Sequence, residues 1–193
     1  MTNPPSSPDE ELLQRAKVSA EGVGAVYDAY ADRLYGFLIQ RCGQKELAED
    51  LVSKTFVKFI EQLPNLEWRG VPLHAWLCRV ASHLLIDHWR SAQSRLDKQL
   101  LDEETWDPPA EHDNPAWYAE LALERDKLME VLKQLPPRDQ EVLDLHFFGQ
   151  QEAREIAQLL DVSANHAAVL VYRALGRLRT LYITHYGRPQ SLS

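Results

Sequence analysis

Residues 73–90, LHAWLCRVASHLLIDHWR, set Trp76 and Trp89 among Arg79, His83, Asp87, His88 and Arg90. Indole rings interleaved with cationic side chains suit stacking on unpaired nucleobases beside a phosphate backbone. The same run equally suits a packed core with a solvated rim, and the residues alone do not choose between them. His83 and Asp87 stand one helical turn apart and could hold a metal, but His88 follows Asp87 directly and points elsewhere, and no third ligand is evident. No Gly-rich phosphate loop and no Ser/His/Asp set stands out, so neither an enzyme nor a bound cofactor is expected.

A second chemically suggestive stretch is EIAQLLDVSANHAAVLVYRALGRLR, residues 155–179. Ile156, Ala157 and Leu160 give a short helix a buried face, and Ala157 is small enough for another helix to cross over it. Asp161-Val162-Ser163 makes the turn: Asp161 tolerates a left-handed backbone, Val162 plugs the corner and Ser163 caps the next helix. In that second helix Ala167, Leu170, Val171, Ala174 and Leu178 form an inward stripe. That leaves Asn165, His166, Val169, Tyr172, Arg173 and Arg177 facing outward. Arg173 has the fork for guanine, Asn165 and His166 lie at the end that would enter a major groove, and Val169 could meet a thymine methyl. Arg177 and Arg179 suit phosphates. An amphipathic hairpin with a solvated arginine edge is the blander alternative.

The formal charge of −8 does not exclude nucleic acid, because affinity follows local neutralisation of phosphates rather than the whole-chain sum. Residues 91–116 and 117–162 each sum to −5, whereas residues 163–193 sum to +4 without an acid. Such a chain is expected to bind DNA weakly when alone. Hydrophobic residues at 45% and charged residues at 26% of 193 are ordinary for a globular protein. No apolar run approaches a membrane span, and MTNPPSSPDEE lacks the basic start and apolar stretch of a signal peptide, so a cytoplasmic location without membrane insertion is expected. Cys42 and Cys78 are isolated, and read as reduced, part-buried thiols.

The elements that must position these residues are all helices. Apolar residues recur at three and four, as in Leu47, Leu51, Phe56, Phe59, Ile60 and Leu63, and no stretch alternates as a strand. Helices are predicted at about 9–18, 22–42, 45–63, 72–95, 116–134, 138–148, 152–160 and 164–185, with Gly43, Pro64 and the Pro136-Pro137 pair as stops. Residues 99–116, with three prolines and six acids, cannot bury much surface and read as a linker. The expected architecture is an all-α chain of two small helical domains: a leader with a short helix over 1–20, a first domain over 21–96, an acidic flexible linker over 97–116, a helix-turn-helix domain over 117–186 and a tail over 187–193. No large fused sensor domain is expected.

The order AEDL…F, WRG…AWL.RVA…IDHWR, an acidic linker, LPPRDQEVLDL and the helix pair resembles a two-domain alternative sigma factor of the extracytoplasmic-function type, over residues 23–182 or so. The resemblance implies a sigma region 2-like bundle, a region 4-like helix-turn-helix domain, and binding to core RNA polymerase through its β′ clamp helices and β flap. It implies polymerase contact by Asp50, Leu51, Ser53 and Phe56 in the 48–63 helix. Opening of the −10 promoter element with capture of a flipped base would fall to Trp68, Arg69, Arg79, His83, Asp87 and Arg90. The −35 element would be read by Asn165, His166, Val169, Tyr172, Arg173 and Arg177. Promoter DNA and an anti-sigma factor are the other partners it implies. Ser53 stands where that family usually has Gln, and His83 where Asn is common, which bears on the bases read. Two alternatives are a sigma-like mimic that sequesters an anti-sigma factor without binding DNA, and a dimeric repressor acting without polymerase.

Overall fold

Prolines and glycines punctuate a chain that is otherwise helix. The computed structural model describes residues 7–96 and 115–187, with side chains over 7–92 and 122–187, and no strand occurs among these residues. α1 (Pro8–Val18) opens on proline, with Asp9, Glu10 and Glu11 in its first turn where the helix dipole favours acids. Ser19 then caps α2 (Ala20–Cys42), its hydroxyl accepting from the Gly22 N–H at 3.0 Å. α1 and α2 cross so closely that a Cβ on Gly22 would lie 2.2 Å from the Arg15 backbone, so no other residue fits there. Gly43, at φ 74°, closes α2, and α3 (Lys45–Gln62) ends in a 3-10 turn (Leu63–Asn65) that contains Pro64. A loop over 66–72 leads into α4 (Leu73–Leu96).

The second half begins with α5 (Pro115–Lys133) and α6 (Pro137–Leu143), separated by the proline pair. Instead of running on to 148 as predicted, α6 widens into a π-helical turn (Asp144–Phe148) that keeps Asp144 and Leu145 both inside. α7 (Ala153–Leu160) starts from a capping box in which Glu152 and Glu155 satisfy each other's backbone N–H. Asp161 is left-handed at φ 55°, and Ser163 accepts from the His166 N–H at 3.2 Å to begin α8 (Ala164–Tyr186). The expected all-helical fold is thus borne out, as are the turn and the caps. Residues 97–114 of the expected linker, residues 1–6 of the leader and the tail beyond 187 lie outside the described residues, while Pro115 and Ala116, expected in the linker, begin α5.

The two halves do not stand apart. α4 packs against α6, α7 and the π turn, and one apolar core runs from Leu34, Leu38, Phe59 and Leu77 to Leu143, Leu145 and Ile156. Fully buried at the junction, Arg41 donates from Nε to Asp144 Oδ1 at 2.5 Å and from Nη2 to Gln140 Oε1 at 3.3 Å, with its guanidinium 4.4 Å from the Trp89 ring centre. The other Asp144 oxygen accepts from Ser82 Oγ at 2.6 Å. Burial pushes the Asp144 carboxyl up, and Arg41 and Ser82 pull it back toward ionisation. Arg125 adds a further tie, donating to the Gln40 carbonyl at 3.0 Å near the end of α2.

Asp144→Ala would leave Arg41 buried without its counter-ion, which costs about 3–5 kcal/mol where the charge stays enclosed. Separation of the halves relieves that cost. The expected outcome is a larger radius of gyration by small-angle scattering with far-UV helicity retained.

Candidate nucleic-acid interface

Three groups of side chains stand out in the sequence, and α8 presents the first. Its apolar stripe buries Ala167, Val171 and Ala174, which turns Asn165, His166, Val169, Tyr172 and Arg173 to the outside, with Tyr172 78% exposed. Arg177 lies elsewhere. Its Nη1 donates to both oxygens of Asp139, at 2.7 and 2.5 Å, and so fastens α8 to α6. A carboxylate as buried as that of Asp139 requires a cationic partner, and Arg177 supplies it through one nitrogen while its side chain stays 56% exposed.

The second group lies on the loop 66–72 and α4. Trp68, Arg69, Trp76 and Arg79 line a cavity of about 210 Å³ with Leu13 of α1 and with Gln158 and Leu159 of α7. Asp87 and Arg90 are exposed farther along α4 and lie 3.9 Å apart. Arg79 and His83 are taken by the second half: Arg79 Nε donates to Glu141 Oε1 at 2.9 Å and Nη1 to the Leu159 carbonyl, while His83 Nε2 lies 2.9 Å from the same Glu141 oxygen. Arg138 closes on the other oxygen at 2.8 Å. Burial pushes the Glu141 carboxyl up, but His83, Arg138 and Arg79 together outweigh it and hold it down at about 2. His83, Asp87 and His88 do not converge on an ion, and no cluster of three such ligands exists among the described residues.

The third group sits on α3. Asp50 and Ser53 are exposed, and Asp50 accepts from Lys54 at 2.6 Å. Leu51 and Phe56 turn into the core and support that surface from beneath. The apolar stripe read from the sequence included Ile60, but the structure leaves it 51% exposed, and sequence reasoning passed over Val57, 53% exposed on the same helix, and Tyr27 of α2, whose ring lies 4.7 Å from Phe56. For Val57 the signal was present as an apolar residue outside the core stripe of α3. Cys42 and Cys78 are free thiols as expected, with Cys78 fully buried and pushed up to about 12 by burial.

An all-helical chain with a capped helix-turn-helix pair and a cavity lined by aromatic and basic side chains has the framework of a helix-turn-helix protein. Residues 26–95 match the model of sigma-70 region 2, and residues 125–178 match that of sigma-70 region 4. The ECF RNA polymerase sigma factor BldN of Streptomyces coelicolor is 30% identical over 172 residues, covering 89% of this chain and 64% of that protein. SigX of Bacillus subtilis, also an ECF RNA polymerase sigma factor, is 27% identical over 157 residues, 80% of each chain. In fold, the chain is similar to the sigma factor RpoE of Bartonella quintana solved with the anti-sigma factor NepR, at a TM-score of 0.56 and 19% identity over 88% of this chain and all of that one. CnrH, solved with the cytosolic domain of CnrY, gives the same TM-score at 18% identity over 92% of this chain and 99% of that one. The chain therefore belongs to the sigma-70 family, among the ECF RNA polymerase sigma factors. Sigma factors are transcription-initiation subunits that act with core RNA polymerase at promoters and catalyse no reaction themselves. Among the described residues no helix is long and apolar enough to cross a membrane.

Because its folded pKa lies below that of a free carboxyl, Glu141 contributes stability above about pH 4.5 that is lost as pH falls toward 2. With Arg138 and His83 part-exposed, screening leaves roughly 1–3 kcal/mol. Glu141→Gln should therefore be less stable than the wild type in urea titrations at pH 6, and the gap should narrow steadily as pH falls from about 4.5 toward 2.

Proposed function

We propose that this chain directs core RNA polymerase to a small set of promoters, with residues 21–96 and 117–186 as its working domains and 97–116 as the tether between them. The outer surface of α3, with Asp50 and Ser53 flanked by Val57 and Ile60, docks on the β′ clamp helices. The second domain meets the β flap. Trp68 and Arg69 capture a base from the opened −10 element, with Arg79, His83 and Arg90 along the backbone and Asp87 toward the bases. Asn165, His166, Val169, Tyr172 and Arg173 read the −35 duplex, while Arg177 aims the helix that carries them. The location is the cytoplasm, where the polymerase works.

The observation that carries this reading is the single face of α8 on which every expected base-reading side chain except Arg177 is exposed and unpaired by acids. The interlocked halves add a condition. Arg79 and His83 are engaged by Glu141, and Gln158 and Leu159 of α7 line the cavity beside Trp68. Promoter opening thus requires the halves to part, and polymerase binding supplies the free energy by holding each half on its own site. An anti-sigma factor that favours the closed arrangement would act in the opposite direction.

The test is transcription from the upstream regions of the source genome with purified chain and core polymerase. Defined start sites are expected, and Arg173→Ala should lower their output by about tenfold or more, the worth of a bidentate guanine contact, while holoenzyme still forms. A wild-type chain that yields no transcript from any such region sinks the reading.

A further inference from the structure

α1 lies outside the residues matched by either family model, yet it reaches the loop to which base capture is assigned. One carboxylate oxygen of Asp9 accepts from the Leu73 N–H at 2.7 Å, and the other accepts from the Tyr30 hydroxyl. Leu73 is the first residue of α4, and the residue before it is Pro72, which has no side-chain oxygen for capping. The cap of α4 is therefore delivered from a helix 64 residues earlier. It sits at the point where the loop bearing Trp68 and Arg69 joins α4. Four residues along α1, Leu13 forms the inner wall of the cavity that Trp68, Arg69 and Trp76 also line. α1 itself has little freedom: Leu13 and Ala16 are buried, and the α1–α2 crossing leaves no space for a Cβ at Gly22. The loop, in contrast, passes through a left-handed Gly70 at φ 74°, where nothing lies within reach of a Cβ.

We infer that α1 is the rigid backing of the base-capturing loop, with Asp9 a positioning residue that fixes where the loop joins α4 and Leu13 the apolar floor against which the captured base rests. This rests on the assignment of −10 capture to Trp68 and Arg69. A loop anchored at this end holds its aromatic and basic side chains at a fixed depth over Leu13. A base then enters a shaped slot rather than an open surface. Loss of the anchor leaves polymerase docking and duplex reading intact and blurs recognition of the unpaired base.

The experiment uses holoenzyme assembled from the full chain and core polymerase, with fork-junction DNA carrying a duplex −35 segment and a single-stranded −10 segment of a mapped promoter. Each variant is also measured on the same DNA with abasic substitutions through the −10 segment. Wild type should prefer the intact DNA over one abasic position, the captured base. Asp9→Ala should cut that preference by about five- to tenfold, the scale of a lost helix cap, with unchanged affinity for core polymerase. Asp9→Asn should restore most of it, because its amide oxygen still accepts from Leu73. Tyr30→Phe keeps the Leu73 bond and releases only the second oxygen, so it tests the idea even if Asp9→Ala folds poorly, and a smaller loss in the same direction is expected. An unchanged preference in Asp9→Ala, or in Tyr30→Phe if the former does not fold, overturns the inference, as does a loss that falls equally on intact DNA, abasic DNA and polymerase affinity. A wild-type holoenzyme indifferent to every abasic position overturns base capture itself, separately from the role of Asp9.

Discussion

The arrangement of this molecule turns on one ion pair that water does not reach. Arg41 and Asp144 come from opposite halves of the chain, and both are fully buried. Such a pair gains little over an apolar one, because each charge must shed its hydration first. What it supplies is an all-or-none fit. Asp144 also holds Ser82, and Arg41 also holds Gln140 and lies beside Trp89, so a shift of a few ångströms would strand two charges and several hydrogen-bonding groups together. The π turn after α6 belongs to the same device, since it presents Asp144 inward without exposing Leu145. The halves are thus either seated or apart, with little advantage in between.

That seating brings acids of the second half onto the surface where the first half would meet DNA. Glu141 offers a buried, ionised oxygen to Arg79 and His83 much as a phosphate would. The acidic balance of residues 117–162, puzzling in a nucleic-acid reader, has a physical use here. Asp139, Glu141 and Asp144 face basic side chains of the protein itself, and the reading face of α8 carries none of them.

Local features of the fold were legible in the sequence because their causes are local. Gly43, Pro64, the Pro136-Pro137 pair, Asp161 and Ser163 act within a turn of where they stand, and each did what its chemistry dictates. The junction was hidden because its partners are 62 to 103 residues apart, and no periodicity links Arg41 to Asp144 or Arg79 to Glu141. Arg177 shows the same limit from the other side. On a helical wheel it belongs with Arg173, but a buried acid on α6 claims it. Asp9 likewise reads as one acid in a first turn, and its reach to Leu73 appears only once α1 is laid across α2.

The Arg177–Asp139 tie has a geometric corollary for how the reading helix is pointed. Twelve residues separate Arg177 from Asn165, about 18 Å along the helix axis. With the capping box, the left-handed Asp161 and the Ser163 cap making α7 and α8 a single stiff body, a tilt of about 10° at the fastening point carries the leading end sideways by about 3 Å, close to one base-pair step of a duplex. On the proposed reading, the register of α8 on a duplex would accordingly depend on a carboxylate buried on the neighbouring helix.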